Sequence, residues 1–453
     1  MQIYNTLSEK KEPLDKIIKG KKLRMFVCGP TVYDYAHIGH ARTYIFFDLV
    51  KNYLKSLKYG VFYLQNITDI DDKIINRASE AKISPKTLAK QFEKEYLKDM
   101  KTLGVTSVDQ YARASENIPE IKKQIQELTK KGYAYKTDSV IYFEIKKFPD
   151  YGKLSKQNLN ALRPGWRIEL DPQKKDPLDF ALWKNTKDEE KKSFPDGRPG
   201  WHIEDTAITE KYFGPQYDLH GGGMDLKFPH HESEIAQQEA ASGKKPLVNL
   251  WMHTGFLLVN GEKMSKSLRN FITIQNFLKN FSPSIFRFIV FTHQYRSPLD
   301  YSEKIAQEAQ KSLDSIAKFI AKVKMAKNGN YKLEIKKYEA QFNEALKDDF
   351  NTPKALAVIF SLINEVNKNL HKIPKKEAKI VEKWVSDKLL VFKIKVKMPK
   401  IPAKIKQLAS KRELFRNNQQ FVQSDALRKE LERLGYTIED APSGSLLWPK
   451  TIS

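Results

Sequence analysis

One cysteine, Cys28, stands in 453 residues. A single thiol cannot close an intrachain disulfide, so a reducing cytoplasm is the expected setting. Long apolar runs are missing as well: none approaches the ~18 residues needed to cross a bilayer. The first residues, MQIYNTLSEKKEPL, lack the apolar core of a secretory leader. Acidic residues are few against basic ones, 55 Asp and Glu to 79 Lys and Arg, for a formal charge of +24. That imbalance favours a polyanionic partner, because neutralising phosphates releases counterions; a proteome-wide lysine bias would leave the same mark. Residues 351–453 are enriched, with 21 Lys and Arg against 10 Asp and Glu. Repeats of solenoid length are absent too. The one echo pairs RPGWRIEL (Arg163 to Leu170) with RPGWHIED (Arg198 to Asp205), which differ at two of eight positions.

What is present is a globular composition, 40% hydrophobic and 30% charged, long enough for about three domains at ~150 residues each. The N-terminal part alternates strand and helix patterns. RMFVCG (Arg24 to Gly29) predicts a short buried strand. A turn at Gly29-Pro30 then leads to a helix that opens near His37 and ends at Gly60, with Ile45, Leu49 and Leu54 on its apolar side. VFYLQNI (Val61 to Ile67) predicts the next strand, Asp69 or Asp71 a cap, and Ser84-Pro85 a further helix start. Strand, helix, strand at this spacing implies a parallel α/β sheet with right-handed crossovers. From Asn117 to Gly200, Pro, Gly and Asp break the rhythm around one strand, SVIYFEI, as an insertion would. YDLHGGGMDL and LVNLWMHTGFLLV restore the sheet pattern. After Ser302 helical patterns take over, and KIKVKMPKIPAKIK reads as a linker before a small tip.

Three motifs carry chemistry. HIGH (His37 to His40) falls where strand and turn give way to helix, and a helix start offers free N–H groups and partial positive charge. His37 and His40 can flank an α-phosphate and stabilise charge building there during nucleotidyl transfer, while Gly39 lets a flat base approach the backbone. Alone, the pair would pass for surface histidines. KMSKS lies in GEKMSKSLRN (Gly261 to Asn270), where Lys263 and Lys266 on a loop can close on a triphosphate. The two motifs stand in this order about 220 residues apart, and chance explains that poorly. In FPHHESEIAQQEA, helical spacing puts His230 and Glu234 on one face at i, i+4. His231 with Glu234 at i, i+3 works equally well, so spacing does not choose. Cys28 could join them on a zinc ion or be a small buried hydrophobe at a strand end.

On HIGH and KMSKS the chain resembles a class I aminoacyl-tRNA synthetase. CGPTVYDYAHIGHART, NITDIDDKII, DPLDFALWK, GRPGWHIE, DLHGGGMDLKFPHHESEIAQ, WMHTGF and SDALRKELERLGYTIEDAP narrow the resemblance to the cysteinyl-tRNA synthetase family over nearly the whole length. The resemblance implies an α/β Rossmann-type parallel-sheet catalytic domain in two halves, 1–116 and 201–302, around a connective insertion, 117–200. An α-helical, DALR-like tRNA-binding bundle (303–390), a linker (391–403) and a small α+β C-terminal anticodon-binding domain (404–453) complete it. The implied reaction joins L-cysteine and ATP, with Mg2+, to cysteinyl-adenylate and pyrophosphate, then transfers cysteine to the 3′ end of tRNA(Cys). A cytoplasmic monomer with no membrane partner is expected.

The resemblance also distributes roles. His37, His40, Lys263 and Lys266 are the catalytic set, and His37, Gly39, His40 and Lys266 contact ATP. Thr31, Thr68, Trp201, His220 and Asp225 match the cysteine pocket, with Trp201 closing it and Asp225 pairing with the ammonium. One zinc ion is implied on Cys28, His230 and Glu234. The family's fourth ligand, a second cysteine after WHIE, is Asp205 here. Asp205 as ligand, Asp205 beside the ligands, and a site without metal all stay open; the near-repeat carries Leu170 at that place, so RPGW itself reads as a turn. Arg269 replaces the family's usual glycine after KMSKSL. In the tip, Ser424 suits a helix cap. Arg428, Arg433, Asp440 and Trp448 are candidates for tRNA, with Trp448 stacking on a base and Asp440 reading base edges; a packed helix with solvated charges is the plain alternative. Zinc would serve selection, since a hydrophobic pocket separates near-isosteres such as cysteine and serine by only ~10²-fold. The competing readings are a cysteine-activating ligase acting on a small-molecule amine, as in the mycothiol pathway, and a catalytically dead RNA-binding paralogue.

Overall fold

The computed structural model describes residues 1–18, 20–157, 171–185, 196–264, 270–326, 329–441 and 444–450. The chain divides into two compact units, one of residues 1–281, 293–301 and 347–350, the other of residues 282–292, 302–346 and 351–453. Among the described residues no helix is long and apolar enough to cross a membrane.

Five strands make the central sheet of the first unit: β1 (Lys22–Val27), β2 (Gly60–Ile67), β3 (Gln110–Arg113), β4 (Tyr217–Gly223) and β5 (Val248–Thr254). Their order is β5-β4-β1-β2-β3, and every neighbouring pair is parallel. This is the parallel α/β sheet the alternation predicts. The strands read as near-continuous apolar runs because helices cover both faces: Leu23, Met25, Phe26 and Val27 of β1 are all buried. The order reverses between β1 and β4, and at such a switch point the loops leaving neighbouring strands diverge and open a crevice. Cys28, directly after β1, lies there, its N–H donating to the carbonyl of Gly221 at 3.1 Å.

The helix after HIGH is α1 (Ile38–Ser56). It stops short of Gly60 because Lys58 takes a left-handed backbone, φ 67°. Ser84 caps the helix Pro85–Thr102 as predicted, accepting the Thr87 N–H at 3.1 Å, and of the two candidate caps Asp71 is used, for Asp72–Glu80. The helix that opens the expected insertion, Ile118–Lys130, instead packs on α2 (Ile203–Phe213) and α3 (Glu232–Ser242). The inserted sheet itself is antiparallel, Ala134–Lys136, Val140–Phe143, Phe180–Lys184 and Arg198–Pro199 in sequence order. The RPGWRIEL copy and its Leu170 lie outside the described residues.

The second unit holds Pro283–Phe291, Glu303–Lys324, Ile335–Lys347, Thr352–Lys368 and Lys375–Val391, then Ala403–Asn417, Phe421–Arg433 and the hairpin Tyr436–Ala441 with Gly444–Pro449. The expected linker is pinned at its start, where Phe392 and Ile394 are buried. The tip is docked too: Trp448 and Leu446 pack with Ala317 of the first long helix, and Lys322 pairs with Glu439 at 2.7 Å.

Arg42 ties α1 to the chain that precedes KMSKS. Its buried guanidinium donates to the carbonyls of Gly255 (2.8 Å), Phe256 (2.6 Å), Tyr295 (3.2 Å) and Ser297. Burial pulls its pKa down to about 10, which still leaves it charged at neutral pH. Arg42→Met, similar in length, strands these buried acceptors at ~1–3 kcal/mol each. The expected outcome is a loss of about 3 kcal/mol or more, read as a lower denaturant midpoint with unchanged slope.

Candidate active site and metal centre

HIGH forms a closed cap. His37 Nδ1 accepts the N–H groups of Gly39 (3.1 Å) and His40 (3.3 Å), and His40 Nδ1 accepts the N–H of His37 at 3.4 Å. The Ile38 N–H goes to the carbonyl of Ile272, and the Ala41 N–H to that of His37. The first-turn N–H groups expected to meet phosphate are therefore taken. Burial pulls His40 down to about 4, so its ring is neutral, and with Nδ1 accepting it carries its proton on Nε2. The two rings stack at 3.8 Å between centroids. Gly39 is explained by the same fold-back, since a Cβ there would lie 2.8 Å from the His37 ring.

The KMSKS strand pair comes to HIGH through a tight hairpin. Leu257–Val259 pairs with Glu262–Lys263 across Asn260 (φ 53°) and Gly261 (φ 81°), both left-handed as a two-residue hairpin turn demands. The returning chain then pairs back onto the entry to α1, with the Ile274 N–H on the carbonyl of Ala36 at 2.9 Å. Lys263 reaches the cleft; Lys266 and Arg269 lie outside the described residues.

One cleft of about 330 Å³ runs between these motifs and Cys28. Thr31, His37, Gly39, His40, Trp201, Asp225 and Lys263 all line it. Thr68 and His220 are buried beside that lining rather than in it: the Thr68 hydroxyl is on Glu204, and His220 Nε2 is 3.3 Å from Cys28 Sγ. Trp201 stacks on His230 at 4.2 Å and stays partly exposed as a wall.

Under that wall sits a dense polar cluster. Cys28 Sγ is 3.4 Å from Asp205 Oδ2, 3.9 Å from Glu234 Oε1, 3.3 Å from His220 Nε2 and 3.1 Å from His231 Nε2. His230 Nε2 is 3.0 Å from both Asp205 Oδ2 and Glu234 Oε1. Cys28, His230, His231 and Glu234 place their donor atoms within 4.8 Å of one another. Asp205 and Glu234 stand in the first turns of α2 and α3, where the helix dipole favours negative charge. Around them, His202 Nδ1 meets His230 Nδ1 at 2.8 Å, and His231 Nδ1 meets His253 Nε2 at 2.8 Å. His253 Nδ1 in turn lies 2.9 Å from Thr6 Oγ1. Five of the nine histidines thus surround the lone thiol.

The electrostatics ask for a cation. Burial, with Glu234 and Asp205 beside it, pushes the Cys28 thiol well up. Burial also lifts Glu234 to about 7 against the pull of His230. Burial opposes a charge on His230, yet Glu234 and Asp205 raise it to about 10, so a proton sits where an ion would. Asp205 Oδ1 is buried without a hydrogen-bond partner among the described residues. A soft thiolate, an imidazole and two carboxylates around one point are a donor set that fits zinc.

Sequence reasoning missed His202 and His253, and left His231 as an alternative to His230. Each directly follows a tryptophan or closes a motif (WHIE, FPHH, WMH), and only the sheet brings those ends together. In the tip, Trp448 is 8% exposed and packed, which leaves no face for a base. Asp440 accepts from Arg412 (2.8 Å), Arg416 (2.7 Å), Arg428 and Ser445 (2.8 Å), and the Arg412 bond holds its carboxyl well below the usual range. It organises arginines before it can read a base. Ser424 lies inside Phe421–Arg433 rather than capping it, and Arg433 is exposed at its end. Phe421 (58% exposed) and Val422 (82%) were not singled out, yet with Leu414 and Leu434 they are exposed apolar groups of the tip, Phe421 the aromatic one.

The parallel sheet, with HIGH and the chain entering KMSKS on one cleft beside Cys28, has the form of the catalytic half of a class I tRNA synthetase. A family model described as the tRNA synthetases class I (C) catalytic domain matches residues 14–311, and one for the DALR domain matches residues 341–386. A cysteine–tRNA ligase of Thermoplasma volcanium is 44% identical over 99% of this chain and 100% of its own length. One from Thermococcus gammatolerans is 44% identical over 98% of each. A Mycobacterium tuberculosis methionyl-tRNA synthetase structure shares the fold, with a TM-score of 0.59 and 15% identity over 82% of this chain and 89% of that one. Within the class I synthetases, the chain belongs to the cysteine–tRNA ligase family.

His253 sets a pH signature. Burial and the charge of Lys227 pull it down to about 3, so the folded chain keeps it neutral while the unfolded chain protonates it below ~6.5. Its contribution is complete above pH ~6.5 and is lost as pH falls toward 3. Urea midpoints measured down this range should fall, and His253→Gln should flatten that fall by close to one proton.

Proposed function

We propose that the chain activates L-cysteine with ATP and ligates it to tRNA(Cys). The observation that carries this reading is that Cys28, Trp201, His37, His40 and Lys263 line one cleft. An amino acid bound beside Cys28 and Trp201 then presents its carboxylate to a triphosphate bound beside His37, His40 and Lys263.

In activation, a cysteine carboxylate oxygen attacks the α-phosphorus and pyrophosphate leaves. His37 and His40 donate Nε2–H groups to the α-phosphate as charge builds, while Lys263 and Lys266 neutralise the departing pyrophosphate, helped by Mg2+. Asp225 receives the ammonium, Thr31 the carboxylate side, and Trp201 shields the pocket. Cys28, Asp205, His230 and Glu234 would hold zinc, which when bound supplies a Lewis acid matched to a thiol and poorly matched to serine's hydroxyl. His202 keeps His230 oriented: pulled well down by burial, it is neutral and accepts the Nδ1 proton, leaving Nε2 for the ion. In the second step the 3′ hydroxyl of tRNA attacks the carbonyl and AMP leaves.

For tRNA, Arg416 and Arg428, held around Asp440, supply phosphate contacts, and Phe421 takes the stacking role that a buried Trp448 cannot. The DALR domain and this tip favour tRNA over the small-molecule amine of the mycothiol-type ligase.

Cysteine-dependent ATP–pyrophosphate exchange, followed by charging of tRNA(Cys) transcript, tests the reading. Exchange without charging would favour the amine ligase, and no exchange would sink the proposal. Phe421→Ala should leave exchange intact while weakening charging, by ~1–3 kcal/mol in kcat/KM for tRNA. Removing the metal should narrow the cysteine-over-serine ratio in exchange.

A further inference from the structure

We propose that Asp205 supplies the fourth donor of the metal centre, so that the ion is held by one sulfur, one nitrogen and two oxygens. The donor set then favours a borderline ion over a soft one. This deepens the metal reading above and rests on it.

Geometry comes first. Tetrahedral zinc with bonds of ~2.0–2.3 Å sets its donors about 3.3–3.7 Å apart. Four contacts among Cys28 Sγ, Asp205 Oδ2, His230 Nε2 and Glu234 Oε1 run from 3.0 to 3.9 Å, four of the six edges such a site requires. Asp205 Oδ2 touches two of its other corners, Cys28 and His230. His231, the alternative fourth corner, also lies within 4.8 Å of the Cys28, His230 and Glu234 donors, but its one contact at hydrogen-bond distance among them is with Cys28 at 3.1 Å, and its Nδ1 is engaged with His253.

The second observation is the state of Asp205 itself. The residue is buried, and Oδ1 has no hydrogen-bond partner among the described residues. A buried carboxylate with one oxygen unanswered calls for a cation, and among the described residues its one ion-pair partner is His230 at 3.0 Å, with no lysine or arginine beside it. His231 has no such deficit.

The chemical consequence follows from the lone cysteine. A chain with one thiol can offer an ion at most one thiolate, and a second anionic donor must then be oxygen. Oxygen donors move preference away from soft ions such as Cd2+ toward Zn2+ and Co2+.

The full-length apo-protein titrated with Zn2+, Cd2+ and Co2+ against a chromophoric chelator tests this. Expected for the unsubstituted chain is one ion per chain and a sulfur-to-cobalt charge-transfer band of a single thiolate. Asp205→Cys should about double that band and move the Cd2+-over-Zn2+ preference by ~10-fold or more. Asp205→Asn should weaken Zn2+ by roughly 10–100-fold or more. Should Asp205→Asn fail to fold, as judged by its circular dichroism, the band of Asp205→Cys decides alone. An unchanged band in Asp205→Cys overturns the inference. So does unchanged Zn2+ affinity in a folded Asp205→Asn, or a loss of affinity in His231→Gln in its place. A native chain that binds none of these ions stoichiometrically overturns the metal centre as well, which separates the two failures.

Discussion

Everything at the catalytic end turns on one constraint: a thiol and two carboxylates are buried together where the sheet order reverses. Like charges in a low-dielectric interior cannot coexist without a counter-charge. His230 fills that need as an imidazolium in the bare protein, held between Asp205 and Glu234 at 3.0 Å each. A divalent ion meets the same need more completely. The surrounding histidines are neutral by burial, so they orient the cluster by hydrogen bonding without adding charge.

The nucleotide end is built on a different economy. The α1 start spends its own N–H groups on His37 and on the returning chain near Ile272. On the proposed reading, the imidazoles rather than these N–H groups meet the phosphate. Arg42, by gripping Gly255 and Phe256, holds the chain leading into KMSKS at a set distance from that cap. The two motifs, far apart in sequence, are coupled by carbonyls that neither motif contains.

Much of this was legible in the residues. Apolar runs and caps foretold β1, β2, α1 and the helix at Ser84, and the spacing of His230 and Glu234 foretold a shared face. Less legible were features that need a neighbour from elsewhere. Nothing local to Trp448 says that Ala317 will cover it, and nothing local to Asp440 says that three arginines will converge on it. Thr68 and His220 sit in motif segments, yet what buries them, Glu204 and Cys28, comes from elsewhere in the chain.

The sequence alone determined the class of chemistry: HIGH, KMSKS, one thiol, and acids and imidazoles at ligand spacing, all written in short segments whose local structure follows from periodicity and capping. Tertiary structure decided which of those groups share a cleft and which stay unanswered. Only the packing of α2 and α3 against the ends of β1 and β4 brings Asp205 to Cys28. That is a matter of long-range burial, which composition and spacing do not encode.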